Sequence, residues 1–308
     1  MRALLALPIG ICLIMAGLSA QAWNKPTHMV SAAIAYADLK ERNLDVIAKV
    51  VEVLKQHPHF DSDWAPLLEQ VSADKRNLYL FMLASKWPDD VRTQHQQHDE
   101  PTWHYVNIAY RPGEDDVKIP HKESILTAFQ KNRSTVSSGI ADREGRAIAL
   151  CWMLHVIGDI TQPLHTIKLV TNKFPEPRGD KGGNEFFIRE KPDGATKDLH
   201  GFWDSLITRT DDFQNVLEKA DSLTSDPDLS REKFSNELSV QSFNDWAVAT
   251  YRLAIDRTYL NGTLKAGEEH NGAVIPDDYK EKAKEVAKRQ VVLSGYRISD
   301  AMVEMFGK

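Results

Sequence analysis

The sequence predicts an all-α fold, a single multi-helix domain carrying one small β-hairpin, and three observations predict it. Apolar residues recur at helical spacing through most of the 308 residues. Alternating, strand-like patterning is nearly confined to one short stretch. No internal repeat, low-complexity run or linker divides the chain, so residues 23–308 are expected to form one domain.

Taken in order, the chain opens with Arg2, an apolar run from Ala3 to Leu18, and Ala20-Gln21-Ala22, the small-x-small pattern of a signal-peptidase site. Residues 1–22 therefore read as a secretion signal, and the mature chain is expected to start at Trp23. The run falls short of the ~20 apolar residues a spanning helix needs, and no later stretch approaches that length, so no membrane anchor is expected. Cys12 lies in the signal and leaves Cys151 alone, which excludes an intrachain disulfide. An exported, periplasmic or secreted chain without disulfides is held by core burial, bound metal or both, and the 286 residues that remain suffice for a sizeable core.

Helical spacing then recurs at roughly 27–40, 42–56, 74–84, 120–133, 142–160, 199–208, 229–258 and 276–305. Pro, Gly and charge interrupt it at 110–118 and 171–183, which read as loops, the second long enough to suggest function. The stretch NEFFIREKPDGATK alternates in part around Pro-Asp-Gly and predicts the hairpin. The formal charge of −6 disfavours broad electrostatic attraction to nucleic acid. A polyanionic substrate would need local positive charge, which bound metal ions supply.

His at i and Asp at i+4 share a helix face and can converge on one cation. Five such pairs occur. His57/Asp61 and His59/Asp63 straddle Pro58, and His95/Asp99 lies in a polar run, so all three read as loop. His155/Asp159 falls on an apolar helical face with Ala147, Cys151, Leu154 and Gly158, where a carboxylate needs a partner. It is either a ligand pair or a buried pair satisfied by itself or by nearby backbone. His165 follows after a break at Gln162-Pro163, and His200/Asp204 sits among Phe202, Trp203 and Leu206. Asp89 after Trp87-Pro88 is a ligand or a turn or N-cap residue, and His104 after Trp103 is a ligand or a satisfied ring.

The ordered set Trp23-x4-His28, Trp87-Pro88-Asp89-x2-Arg92, Trp103-His104, His155-x3-Asp159-x5-His165, Gly182-Gly183-Asn184 and His200-x3-Asp204 resembles the zinc-dependent single-strand nucleases of the S-one/P-one nuclease family. The resemblance spans residues 23 to 204 and implies the helical fold that family shares with bacterial zinc-dependent phospholipase C. It also implies three Zn2+ ions. One would be held by Asp89, His104, His155 and Asp159, a second by His165, His200 and Asp204. The third would take His28, an oxygen of Asp159, and Trp23 through its α-amino nitrogen and carbonyl oxygen. Imidazole and carboxylate donors suit zinc. His57, His59, His95, His98, His121 and His270 fall outside the set and are expected to be exposed.

The implied reaction is hydrolysis of single-stranded DNA or RNA to 5′-phosphorylated products, with 3′-nucleotidase activity on the same metals. Paired metals supply hydroxide at neutral pH and neutralise phosphate oxygens. By the resemblance Asp159 bridges, Asp89 orients the attacking water and Arg92 clamps phosphate; otherwise Arg92 is a surface residue paired with Asp89 or Asp90. Tyr105 could stack a base or pack in the core, and Asn184 could bond a base edge or close its turn. No obligate protein partner is expected. The alternatives are a phospholipase C, which the Asp at 204 and the Trp-Pro-Asp-x2-Arg stretch disfavour, and a non-catalytic zinc store, which leaves Arg92 unexplained.

Overall fold

The computed structural model describes residues 23–138 and 140–307, so the expected secretion signal at 1–22 lies outside the described residues. Helices dominate. They are α1 (Lys25–Arg42), α2 (Leu44–Leu54), α3 (Ala65–Leu68), α4 (Arg76–Gln94), α5 (Ile125–Ser137), α6 (Arg143–Asp159), α7 (Pro163–Thr166), α8 (Leu199–Asp204), α9 (Phe213–Thr224), α10 (Ser235–Ser239), α11 (Phe243–Leu253) and α12 (Tyr279–Phe306).

The centre of the fold is α6. From Ala149 to Ile167 every residue is buried, which is what an almost uniformly apolar helix requires. Asp142 starts it by accepting a hydrogen bond from Gly145 N at 2.6 Å. Pro163 ends it, since the residue before a proline is pushed out of the helical region and Gln162 is extended. Around α6 pack α1, α2, α4, α5 and α12. The entry to α1 is set by Asn24, whose Oδ1 accepts from Thr27 N at 3.0 Å, with Pro26 in the first turn. From Pro26 to Ala35 that helix is wholly buried.

Two small sheets sit at the end of α6 where His155 and Asp159 lie. Strands β1 (Ile108–Tyr110) and β2 (Ile167–Leu169) pair in parallel, Ile108 opposite Ile167. The predicted hairpin forms as β3 (Phe187–Arg189) and β4 (Lys197–Asp198), paired antiparallel. It is extended by β5 (Ala273–Val274), which runs parallel to β3, so the hairpin is part of a three-stranded sheet.

Several boundaries differ from the sequence expectation. The helix expected at 74–84 continues through Pro88 to Gln94, because burial of Trp87, Pro88, Asp89, Asp90 and Val91 outweighs the missing N–H at Pro88. The span 229–258 is interrupted after Ser239, and α11 restarts where Ser242 caps Asp245 N. Helix α9 has no counterpart in the predicted spans, although Asp212 caps it by accepting from Gln214 N and Asn215 N. His57 is buried rather than exposed. The turn Phe60–Trp64 folds residues 57–64 against α4, stacking His57 on Trp64 and setting it edge-on to Trp87. His59, His95 and His98 are half-buried, while His121 and His270 are exposed as expected.

Candidate metal centre

Eight predicted side-chain ligands, His28, Asp89, His104, His155, Asp159, His165, His200 and Asp204, are all at most 5% exposed, although they come from five helices and the segment before β1. Their convergence has a local cause at each step. His155 and Asp159 lie one turn apart on α6. Pro163 starts the single turn of α7 that turns His165 toward Asp159. Val106 N donates to His165 O at 2.9 Å, so the β1–β2 pairing ties the His104 segment to the His165 segment.

The tightest group contains two imidazoles and a carboxylate. His104 Nδ1 and His155 Nε2 are 3.0 Å apart, and Asp159 Oδ2 is 3.0 Å from the first and 3.1 Å from the second. Asp89 Oδ1 is 4.0 Å from His155 Nε2. Zinc bonds of ~2.0–2.2 Å at tetrahedral angles place ligand atoms about 3.3–3.5 Å apart, close to these spacings. The other carboxylate oxygen, Asp159 Oδ1, is 3.1 Å from His28 Nε2 and 3.7 Å from His165 Nδ1. His200 Nε2 lies 3.4 Å from Asp204 Oδ2, and His165 stacks on His200 with ring centroids 5.1 Å apart. Donor atoms thus gather in three groups, each within 4.8 Å: His28–His155–Asp159, Asp89–His104–His155 and His165–His200–Asp204.

Backbone carbonyls orient three of the rings. Nδ1 donates to Ser85 O in His155 (2.8 Å), to His104 O in His165 (2.6 Å) and to Gly182 O in His200 (2.6 Å). That tautomer turns the Nε2 lone pair inward, as metal-binding histidines require. The loop holding Gly182 needs glycine there: its φ is +62°, and a Cβ would stand 2.6 Å from Leu164 O. Gly158 is required for a different reason, because a Cβ there would lie 2.8 Å from His28 Nδ1.

Burial acts on the titratable groups of this centre. Burial raises Asp159, but His155, His165 and His28 overcome it and hold the carboxyl well below the usual range. Burial, reinforced by Asp159, Asp198 and Asp89, pushes Asp204 well above that range despite the hydrogen bond from Gln162. Burial also lowers His104 to about 4 and His165 to about 3, so both rings are neutral donors near pH 7. Buried His28 Nδ1 and Nε2, His104 Nε2, Asp89 Oδ1 and Asp159 Oδ1 make no hydrogen bond. Of these, His28 Nε2 and Asp159 Oδ1 face each other at 3.1 Å, an arrangement that fits a divalent cation.

The remaining predicted residues border this centre. Trp23 is fully buried, and its indole Nε1 donates to Thr161 Oγ1 at 3.2 Å, which docks the segment beside the end of α6. Arg92 places a guanidinium nitrogen 3.6 Å from Asp89 Oδ1. Tyr105 is half-buried next to His104. Asn184 Nδ2 donates to Lys181 O at 2.8 Å and so closes its own turn.

Two supporting residues escaped the sequence reading. Gln162 is fully buried; its Nε2 donates to Asp204 Oδ1 at 2.6 Å and its Oε1 accepts from Leu164 N, so the residue that caps α7 also orients the Asp204 carboxylate. Asp180 organises the 171–183 loop from within, accepting from Leu169 N at 2.8 Å and from Tyr259 OH at 2.5 Å. A Gln at a helix break and an Asp between loop glycines were the only signals available.

The family model described as S1/P1 nuclease matches residues 23–307. The chain is similar to Endonuclease 1 of Arabidopsis thaliana, 22% identical over 98% of this chain and 93% of that protein. It is also similar to Endonuclease 5 of Arabidopsis thaliana, 25% identical over 60% of this chain and 56% of that protein.

Proposed function

The chain belongs to the S1/P1 nuclease family, and from that premise we propose that this nuclease is an exported, three-zinc phosphodiesterase that cleaves single-stranded DNA and RNA to 5′-phosphorylated products. On this reading residues 23–308 act as one domain, released from the signal at 1–22, and the same site removes 3′-phosphate from nucleotides. The observation that carries it is the carboxylate of Asp159, whose two oxygens face different imidazoles: His104 and His155 on one side, His28 and His165 on the other.

Asp89, His104, His155 and Asp159 would hold one zinc, His165, His200 and Asp204 a second, and His28, Asp159 and the Trp23 amine and carbonyl the third. Zinc held there supplies positive charge for the phosphate oxygens and a nucleophile at neutral pH. The chain supplies the rest. Asp89 Oδ1, buried and lacking a hydrogen bond, accepts from the attacking water and orients it. Arg92 reaches past Asp89 to donate to the phosphate, whose negative charge grows as the P–O3′ bond breaks. Gln162 and the Gly182 carbonyl keep Asp204 and His200 aimed at the position of the second zinc, which when bound would stabilise the departing 3′ oxygen. Tyr105 offers a ring for stacking an unpaired base, and Asn184, whose Nδ2 closes its turn on Lys181 O, keeps its Oδ1 to accept from a base edge.

The test is parallel assay of the protein starting at Trp23 on single-stranded DNA, RNA, a 3′-mononucleotide and phosphatidylcholine, with metal analysis of the same sample. Hydrolysis of the nucleic acids to 5′-phosphates, abolished by chelation and restored by zinc, is expected. Preferential hydrolysis of phosphatidylcholine, or 3′-phosphorylated nucleic-acid products, would overturn the reading.

A further inference from the structure

On the other side of α4 from Asp89 and Arg92, four histidines collect around Trp87. His57 is edge-on to the indole with centroids 4.6 Å apart, and His59 and His98 lie at 6.1 and 5.7 Å. Within this group His59 stacks on His95 at 3.5 Å, and His95 Nε2 is 2.8 Å from Asp63 Oδ2. One donor atom from each of His59, Asp63 and His95 lies within 4.8 Å of the others. None of the three belongs to the centre described above.

We propose that His59, Asp63 and His95 form a further site for one zinc-class divalent cation, a clip that pins the Phe60–Trp64 turn to the C-terminal end of α4. The donor set is right for such an ion: two imidazoles and one carboxylate, with coordination positions left for water. Packing holds the donors in place before any ion arrives. His57 Nδ1 accepts from His59 N at 3.2 Å, Asp63 N donates to His59 O at 3.0 Å, and Ser62 Oγ donates to Asp63 Oδ1 at 2.7 Å. His59 Nδ1 is buried and makes no hydrogen bond, an unspent donor atom in a polar cluster. His95 caps the end of α4, where the helix dipole favours positive charge. A cavity of about 530 Å³, lined in part by Asp63, Trp64, Trp87 and His95, gives an ion a path to the site. Among the described residues the only cysteine is free, so a metal clip here does what a disulfide does in other exported proteins.

The test compares zinc content by mass spectrometry in the wild-type protein, the double variant His59→Asn/His95→Asn and a control, His121→Asn/His270→Asn, after equilibrium dialysis against micromolar zinc. Wild type and control are expected to hold one more zinc per chain than the double variant. Zinc should also raise the melting temperature of wild type by about 2–4 °C more than that of the double variant. Equal zinc content in wild type and a double variant of native circular dichroism overturns the proposal, as does an equal loss in the control. If the double variant does not fold, Asp63→Asn replaces it under the same two criteria. Because the readout is a difference between proteins, a wrong ion count at the buried centre shifts every total equally and leaves this result intact.

Discussion

Asp159 carries two constraints at once: full burial in the last turn of α6, and an oxygen on each side facing different imidazoles. Asparagine keeps the volume and one acceptor but not the charge, so Asp159→Asn should preserve the helical circular dichroism while activity falls by at least the ~10²–10³-fold that loss of one electrostatic stabiliser costs. Near-normal turnover in that variant would show that no cation depends on this carboxylate. At this scale the sequence was most legible for the His and Asp residues that the fold buries together, because each stands at a fixed interval from a Trp, Pro or Gly that can be read directly. It was least legible for Gln162 and Asp180. Both act through hydrogen bonds to residues distant in the chain, Asp204 and Tyr259, and no local spacing announces such a partner.

At the scale of elements, the crossing of α1 over α6 brings His28 to Asp159. Gly158 permits it, since a methyl group there would meet His28 Nδ1 at 2.8 Å. Gly158→Ala should therefore displace His28 and reduce bound zinc by one equivalent per chain, with helicity unchanged; metal analysis decides. The 171–183 loop makes a second, pH-dependent prediction. Burial raises Asp180 to about 6, only partly offset by the hydrogen bonds from Tyr259, Leu169, Gly183 and Gly182. A carboxyl raised above its unfolded value near 3.9 contributes stability below that value and loses it as pH rises through the folded one. Wild type should thus lose about 2 kcal/mol relative to Asp180→Asn between pH 4 and pH 7, followed as the difference in denaturant unfolding of the two proteins. A constant difference across that range would contradict the burial argument. The parallel β1–β2 pair, which ties the His104 and His165 segments together, was invisible in sequence because three-residue strands show no usable alternation. The Phe60–Trp64 turn was missed too, since Pro58 and the surrounding polar residues resemble any loop until Trp64 and Trp87 are seen to enclose His57.

For the whole molecule, a chain of formal charge −6 that cleaves a polyanion needs its positive charge concentrated in one place. On the proposed three-zinc reading the buried centre between α1, α4, α6, α7 and α8 is that place, and the all-α architecture was legible because helical periodicity persists wherever the core is thick. If the free amine of Trp23 is a ligand, protein that retains residues ahead of Trp23 should lose one zinc and most of its activity; full activity would exclude the amine. The proposed function rests finally on what lies between these side chains. Its most direct test is anomalous diffraction at the zinc edge from crystals of the protein starting at Trp23. Three peaks are predicted: one among Asp89, His104, His155 and Asp159, one among His165, His200 and Asp204, and one beside His28, Asp159 and the Trp23 backbone. A single peak, or none, within this centre in crystals of active protein would contradict it.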